Sequence, residues 1–531
     1  MNEKTVQTER SARLSSRLKE LLRIEWTSWK FTLLTAVIIT LFSISYVQYV
    51  MASWGIYGFS FDDSWIHVQY ARTIFEGRAW EYAWGIPSTG SSGPLWSVVL
   101  SPIFLFGYDH DTVVTAVLAI SGILYIIDVF LVGEIVKQHT EKWELAILGQ
   151  IIFVLVPRNA GLMLSGMETP LGMMMILLSL LFLPRQEWQY DIILGLVVGL
   201  AYLCRPEFVL IAALCLPIRS LIGLYRDDNR KRRLLTLSAM FALAVLVVLP
   251  WILHCYNTTG LPLPDSYYSK LRWGVDQGGF DLWNWFWLRT WFPSEPYLSL
   301  GFVGGVVILV AKRRPYELVL ISSLYALYYL TMPGMSFLFA ARYLVPLFDL
   351  MAIAFISGLA LVLEAGLIRV SKSSNPGDKD VIFITAAVIF LLFTPSLISS
   401  VGYVEHHANQ AKNIEEMQVH LALWIRDNIP ENATIATYDV GALGFFARGT
   451  VLDTYGLVTP LLLHNYTNAY SQSEFLRDVN CTYIMYYVEW FPYFRHAITN
   501  VGGAVTELYT VHLDDPVVVG TPNMAVYHIQ W

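Results

Sequence analysis

Long runs of apolar residues, separated by short polar turns, dominate the sequence from Phe31 to Ser400. A transmembrane helix needs about 20 consecutive apolar residues, and several runs reach or approach this length. We predict spans near 31–50, 112–136, 144–164, 170–184, 191–204, 207–224, 234–255, 298–311, 316–333, 343–364 and 381–402. The pattern therefore predicts an α-helical polytopic membrane protein with about 11 transmembrane helices.

The composition supports this class of protein. Of the 531 residues, 55% are hydrophobic and only 15% are charged, and the mean hydropathy is +0.49. Soluble domains carry about 25% charged residues. Membrane lipid is therefore an expected partner, and no basic patch indicates nucleic acid. The four cysteines show no spacing typical of a disulfide framework or a zinc site.

Basic residues predict the orientation of the chain. The N-terminal tail is rich in Arg and Lys, which places it in the cytoplasm by the positive-inside rule. Segment 94–107 is apolar but only about 14 residues long. If it does not cross the membrane, later basic turns such as 226–233 also lie inside; if it crosses, they lie outside. We therefore predict that 94–107 is re-entrant or interfacial and that the C-terminus lies outside the plasma membrane.

This topology divides the chain into three parts. Residues 1–30 form a cytoplasmic tail, and residues 31–402 form a transmembrane domain whose first extracytoplasmic loop is 51–111. Residues 403–531 form an extracytoplasmic α/β domain, because a polar helix near 404–428 is followed by alternating strand-like and helix-like runs. That alternation favours a small, mostly parallel sheet.

Two acidic residues, Asp62 and Asp63, open a helix-like segment directly after the first span. Trp65, Ile66 and Tyr70 fall on one side of it, as in an amphipathic helix lying at the membrane surface. Carboxylates fixed there suit chemistry on a lipid-borne substrate. Alternatively, Asp63 caps the helix, since Asp is a favoured N-cap residue.

Further ionisable residues lie within or beside the apolar runs, where they are costly and usually face a cavity. Arg and Lys among them could bind a phosphate. Arg205 and Glu207 could instead neutralise each other at the turn around Pro206. The set on the predicted outer side consists of Glu168, Arg205, Glu207, His254, Lys270 and Arg342.

Several stretches occur in the order of a known family between residues 61 and 446. They are FDDSWIHVQYARTIFEG with SGPLW, SGMETPL, GLAYLCRPE, GLPLPDSYYSK, RYLVP and ATYDVGALGFF. In these stretches the chain resembles the GT-C superfamily of integral membrane glycosyltransferases that use polyprenyl-phosphate sugars. It is most similar to the branch of the mycobacterial terminal arabinofuranosyltransferase. It departs from that branch in AWEYAWGIPSTGSS, where the family often has Asn-Pro-Gly and a Glu-containing run, so the sugar and the acceptor stay open.

The resemblance implies an enzyme that transfers a sugar from a polyprenyl-phosphate donor to an extracytoplasmic acceptor by inverting displacement. The acceptor is a cell-envelope glycan, a lipid or a protein. The implied catalytic carboxylate is Asp62 or Asp63, supported by Glu168; we favour Asp62 because Asp63 is the better-placed cap. Some members use a divalent cation, which clustered carboxylates could hold, and no other cofactor is expected. The implied substrate-binding residues are His67, Arg72, Arg205, Glu207, Tyr267, Tyr268, Lys270, Arg342 and Tyr343.

Two other classes of function remain open. A transporter or flippase of lipid-linked sugars would also bury ionisable residues in a helical bundle, although such folds often show paired halves that this sequence lacks. The second alternative class is a non-catalytic subunit of an envelope complex. Turnover of a polyprenyl-phosphate sugar by the purified protein discriminates the enzyme from both.

Overall fold

The computed structural model describes residues 29–83, 85–185, 187–226, 230–269, 342–343, 345–370 and 378–531. In these ranges, helices occupy most of the chain before residue 430. They are α1 (Trp29–Ser53), α2 (Asp62–Phe75), α3 (Pro94–Leu100), α4 (His110–Thr140), α5 (Trp143–Leu155), α6 (Asn159–Met163), α7 (Thr169–Phe182), α8 (Gln189–Cys204), α9 (Val209–Arg226), α10 (Arg230–Thr259), α11 (Val345–Val370), α12 (Asp378–Ile414) and α13 (His420–Asn428).

Apolar helices define the membrane part of the molecule. Among the described residues, five helices are long and apolar enough to cross a membrane, or six if a helix pair bent by 50° counts as one span. The chain is therefore a multi-pass membrane protein. The predicted spans near 298–311 and 316–333 lie outside the described residues, so the count of about 11 stays a prediction.

Close helix contacts build the membrane bundle. Helix α4 packs against α5 and α7, and α8 packs against α10. At Gly195 in α8, an added Cβ would lie 2.4 Å from the backbone oxygen of Met240 in α10. Only glycine permits this approach, which matches the use of small residues where membrane helices pack most closely.

Segment 94–107 forms helix α3 and a 3-10 turn at Ser101–Leu105. Pro94 starts the helix, where its missing N–H costs nothing. The apolar helix Pro94–Leu105 spans about 18 Å at 1.5 Å per residue, well short of a hydrocarbon core of about 30 Å. The length agrees with the predicted re-entrant or interfacial placement, while the orientation of the chain stays a prediction.

Helix α2 lies deeper in the protein than its amphipathic pattern predicts. Its residues from Ser64 to Ala71 are all buried, so it does not lie on the membrane surface with one open side. Trp65 stacks on Phe445 with ring centroids 5.1 Å apart. The C-terminal part of the chain therefore covers Trp65 on the apolar side of α2. Polar residues of α2 are covered as well, because Ser64 donates to the Ser165 carbonyl oxygen at 2.9 Å.

Strands β1 (Glu81–Ala83) and β2 (Ile86–Pro87) form a small hairpin. The C-terminal residues form a separate five-stranded sheet of β3 (Thr434–Thr437), β4 (Thr450–Asp453), β5 (Tyr483–Tyr487), β6 (Ala504–His512) and β7 (Asn523–Gln530), with strand order β4-β3-β5-β7-β6. Strand β3 is parallel to β4 and β5, whereas β7 is antiparallel to β5 and β6. The sheet is thus mixed rather than mostly parallel, because β6 and β7 form a hairpin. The helices of this region are α14 (Gly441–Phe446), α15 (Pro460–His464), α16 (Ala469–Asp478) and α17 (Phe491–Asn500).

Helical structure continues beyond the last apolar span towards this sheet. Helix α12 covers Asp378–Ile414, a π-helical turn covers Glu415–Val419, and α13 follows. The predicted domain boundary between residues 402 and 403 therefore lies inside a continuous helix. The sequence pattern changes there from apolar to polar, but the backbone conformation does not.

Candidate active site

A cavity of about 450 Å³ lies where α2 meets the C-terminal sheet. Asp62 and Asp63 line it from the start of α2, and Arg342 and Tyr343 line it from the segment before α11. The structure thus brings two predicted catalytic carboxylates and two predicted substrate-binding residues to one cavity. The C-terminal residues that line it include Gln418, Tyr438, Asp439, Asp453, Tyr455, Tyr487 and Trp490.

Asp62 is held by the backbone of the C-terminal region. Its carboxylate accepts the N–H of Gly441 at 2.7 Å and the N–H of Ala442 at 2.8 Å. Burial and the negative charge of Asp439 raise the pKa of Asp62, and the two N–H donors oppose this without cancelling it. A partly buried carboxylate with a raised pKa can accept a proton near neutral pH.

Asp63 forms an ion pair with Arg342, with Oδ2 and Nη2 2.6 Å apart. Helix α2 begins at Asp62, its N-cap residue is Phe61, and no side chain caps it. The prediction that Asp63 caps the helix is therefore wrong. The physical reason is competition, because a charge-assisted bond to a buried guanidinium is about twice as strong as a neutral hydrogen bond.

Arg342 is a buried cation with a defined orientation. Its side chain donates to the Tyr343 hydroxyl at 2.9 Å and lies over the ring of Phe61, 5.2 Å from the centroid. Only 5% of the residue is exposed. These contacts fix the guanidinium at the cavity wall, where it can stabilise negative charge.

A second ionic network, centred on Glu168, lies next to the Asp63–Arg342 pair. Glu168 pairs with His67 at 3.0 Å and with Arg205 at 3.2 Å. Arg205 also bonds Glu207 at 2.7 Å and lies over the Tyr343 ring at 4.6 Å. The predicted neutralisation of Arg205 by Glu207 therefore occurs, but Arg205 is shared with Glu168. Burial raises the pKa of Glu168, whereas His67 and Arg205 lower it more strongly, so Glu168 is ionised.

Four predicted substrate-binding residues lie away from these contacts or outside the described structure. Arg72, in the last turn of α2, bonds Glu76 at 2.9 Å and the Phe445 carbonyl at 3.2 Å, and it does not line the cavity. Tyr267 and Tyr268 also lie off the cavity wall, although the adjacent Ser269 lines it. Lys270 lies outside the described residues.

The sequence interpretation did not assign a role to Asp439. Its carboxylate accepts hydrogen bonds from the Gln418 amide at 2.9 Å and from the Tyr487 hydroxyl. Burial raises its pKa. The available signal was its position two residues after β3 in the stretch ATYDVGALGFF, because residues at the carboxyl ends of parallel strands often form binding sites.

The carboxylates of this cavity do not fit a divalent cation as they are arranged. In the part of the chain that the structure describes, no three His, Cys, Asp or Glu side chains are placed to hold a metal ion. Asp62 accepts two backbone N–H groups, and Asp63 is paired with Arg342.

Sequence comparison is informative only for the C-terminal region. A family described as Domain of unknown function (DUF8728) matches residues 412–527. The comparison with curated proteins gave no match.

The fold is similar to those of two solved proteins, an archaeal oligosaccharyltransferase and a bacterial ArnT. The oligosaccharyltransferase AglB of Archaeoglobus fulgidus, in complex with an inhibitory peptide and a dolichol-phosphate, has a TM-score of 0.54 and 12% identity over 90% of this chain and 71% of that chain. ArnT of Cupriavidus metallidurans, bound to undecaprenyl phosphate, has a TM-score of 0.55 and 12% identity over 95% and 98%. The archaeal enzyme in complex with Zn and sulfate has a TM-score of 0.52 and 14% identity over 86% and 68%. The likeness to the arabinofuranosyltransferase branch stays a prediction.

Proposed function

We propose that the protein is a membrane glycosyltransferase that transfers a sugar from a polyprenyl-phosphate donor to an acceptor hydroxyl. The observation that carries this proposal is that Asp62, a proton acceptor, and Arg342, a buried cation, line one cavity. The donor class is supported by solved structures of the same fold that contain dolichol-phosphate or undecaprenyl phosphate.

The reaction is a single displacement at the anomeric carbon. The acceptor oxygen attacks that carbon while its proton passes to Asp62. The bond between the anomeric carbon and the phosphate oxygen breaks, and polyprenyl phosphate leaves with the bonding electrons. Phosphate is a good leaving group, so charge stabilisation by Arg342 replaces a general acid. One displacement inverts the anomeric configuration.

The neighbouring residues orient these two groups. Asp63 and Tyr343 hold the Arg342 guanidinium. Glu168, with His67 and Arg205, supports Tyr343 from behind through the contact of Arg205 with its ring. Lys270 remains the second candidate for the lipid phosphate, because Ser269 before it lines the cavity.

In this proposal residues 31–402 form the catalytic membrane domain and residues 403–531 an extracytoplasmic α/β domain. The N-terminal tail is cytoplasmic, and the cavity opens outside the plasma membrane. Cysteine-accessibility labelling in the turn 226–233 and in residues 403–531 tests this orientation. Labelling of the turn from outside intact cells would contradict it.

The activity is tested with the purified full-length chain and synthetic undecaprenyl-phosphate glucose, mannose and arabinose. We expect release of undecaprenyl phosphate from at least one donor, and its loss in Asp62→Asn. The matched control is Asp514→Asn, because that side chain is exposed on the surface. Donor that is moved across a liposome membrane but never cleaved would instead identify a transporter.

A further inference from the structure

Four aromatic residues of the C-terminal region contribute to the cavity wall. Tyr438, Tyr455, Tyr487 and Trp490 all line the cavity, and we call these four residues the aromatic wall. Their rings are in mutual contact: centroid distances are 5.1 Å for Tyr438 and Trp490, 5.4 Å for Tyr438 and Tyr455, and 4.7 Å for Tyr487 and Trp490. Trp490 is 41% exposed, so its ring remains available to a ligand.

The aromatic wall is held rigidly. The Trp490 ring packs against Gly520, where an added Cβ would lie 2.3 Å from it. The loop that contains Gly520 is attached to α12, because Asn409 bonds Asp515 at 2.6 Å and Asn413 accepts the Val517 N–H at 2.7 Å. A preformed wall binds its ligand without a large ordering cost.

A carboxylate accompanies these rings. Asp439 lines the same cavity, is held by Gln418 and Tyr487, and lies close enough to Asp62 for their charges to interact. Carboxylates accept hydrogen bonds from hydroxyl groups, and aromatic rings pack against the apolar C–H faces of sugar rings. Gln418 and Tyr487 both donate to Oδ2 of Asp439, so a ligand hydroxyl could donate to Oδ1, whereas a purely apolar ligand would offer Oδ1 no donor.

We propose that the aromatic wall and Asp439 form the acceptor subsite and that the acceptor is a carbohydrate. This inference rests on the proposed glycosyl transfer and names its acceptor class. A sugar packed on Trp490 and bonded to Asp439 presents a neighbouring hydroxyl to Asp62, while the donor phosphate lies at Arg342. All residues of the subsite fall within the region 412–527 that matches the family of unknown function, which gives that region an acceptor-binding role.

The test compares acceptors and one aromatic variant. The purified chain receives the donor it consumes together with octyl glycosides of glucose, mannose, galactose and arabinose, a Ser/Thr-containing peptide, or phosphatidylglycerol. We expect transfer to a glycoside, and an increase in its KM of about tenfold in Trp490→Ala from the loss of one ring contact. The donor KM should change much less. The control is Trp424→Ala, since Trp424 stacks on Tyr509 at 5.0 Å and does not line the cavity.

Each outcome is decisive. Transfer only to the peptide or to phosphatidylglycerol overturns the carbohydrate acceptor, and an unchanged glycoside KM in Trp490→Ala overturns the subsite. If the wild-type chain consumes no donor, the proposed function fails, but the subsite is still tested by tryptophan fluorescence with the same glycosides. Quenching in the wild type and in Trp424→Ala, but not in Trp490→Ala, supports it; equal responses in all three contradict it.

Discussion

The Asp62 carboxylate accepts the backbone N–H of Gly441 at 2.7 Å, although the two residues are 379 positions apart in the chain. The same carboxylate accepts the N–H of Ala442, and Trp65 stacks on Phe445 one turn further along both helices. The candidate base is therefore positioned by the C-terminal region rather than by its own loop. Activity should depend on how these two parts fit together.

Gly441→Ala tests this fit. An added Cβ would lie 2.0 Å from the Asp62 carbonyl oxygen, and this backbone atom cannot move without displacing the start of α2. We expect transfer to fall about 100-fold, the usual effect of a displacement near 1 Å at a reacting group, measured as kcat with saturating donor. The control is Gly402→Ala in α12, where nothing lies within 4 Å of an added Cβ. Equal activity in the two variants would show that the fit at Gly441 is not needed.

Asp62→Asn and Asp63→Asn should have different effects. Loss of a general base costs about 10²–10⁴-fold in rate, so Asp62→Asn should bind donor but lose turnover. Asp63→Asn removes the charge that balances buried Arg342. Its cost should stay below the roughly 3–5 kcal/mol of a fully buried pair, because the Asp63 side chain is 35% exposed.

Turnover and melting temperature of both variants distinguish these roles. We expect the larger loss of turnover in Asp62→Asn and the larger fall in melting temperature in Asp63→Asn. If Asp63→Asn abolishes turnover at an unchanged melting temperature while Asp62→Asn stays active, Asp63 is the base. Full activity in both would remove the acidic pair from the chemistry.

The apolar runs predicted the membrane helices because about 20 apolar residues have few alternatives to a span. Charged residues in this apolar context were equally visible, which explains why Asp62, Glu168, Arg205 and Arg342 could be selected from sequence. Glu207 was predicted as a partner of Arg205 because it lies two residues away, but partners that are distant in the chain could not be predicted in the same way. The ion pair of Asp63 with Arg342 joins residues 279 positions apart, and no local pattern reports such a contact.

The structure of the C-terminal part was harder to predict from the sequence. An Asp after a strand is common in any α/β domain, so the position of Asp439 after β3 was not specific enough to predict that its side chain lines the cavity. The full burial of α2 could not be predicted either, because an amphipathic pattern shows which side is apolar but not that polar residues such as Ser64 and His67 are also buried by distant parts of the chain. The antiparallel direction of β7 depends on the hairpin with β6, which strand propensity does not specify.

Glu168→Gln should mainly reduce stability. Glu168 and Arg205 are both buried, with side chains 2% and 8% exposed, so the variant leaves Arg205 and His67 short of a negative charge. Breaking a buried pair costs about 3–5 kcal/mol when it leaves a charge uncompensated. Arg205 keeps its ion pair with Glu207, so we expect a smaller cost that still lowers the melting temperature in detergent. The control is Glu431→Gln, whose pair with Arg448 is exposed and should contribute at most about 1 kcal/mol. Equal melting temperatures for the two variants would show that the Glu168 network does not stabilise the fold.

The pH dependence of transfer should report the environment of Asp62. Only the ionised carboxylate accepts a proton, so kcat/KM should rise with pH through the pKa of Asp62 in the free enzyme. Burial and the charge of Asp439 raise that pKa to about 8, against about 3.9 for an ordinary Asp. Because the folded state then holds this proton more tightly than the unfolded state, the free energy of unfolding should decrease as pH rises between those two values.

Asp439→Asn tests this assignment of the pH dependence to Asp62. The variant removes the neighbouring negative charge, and we expect the rising limb of kcat/KM to move to lower pH. Asp514→Asn, at the exposed surface, should leave the limb unchanged. A wild-type limb near pH 4, or one that Asp439→Asn does not move, would show that Asp62 is not the group whose ionisation controls transfer.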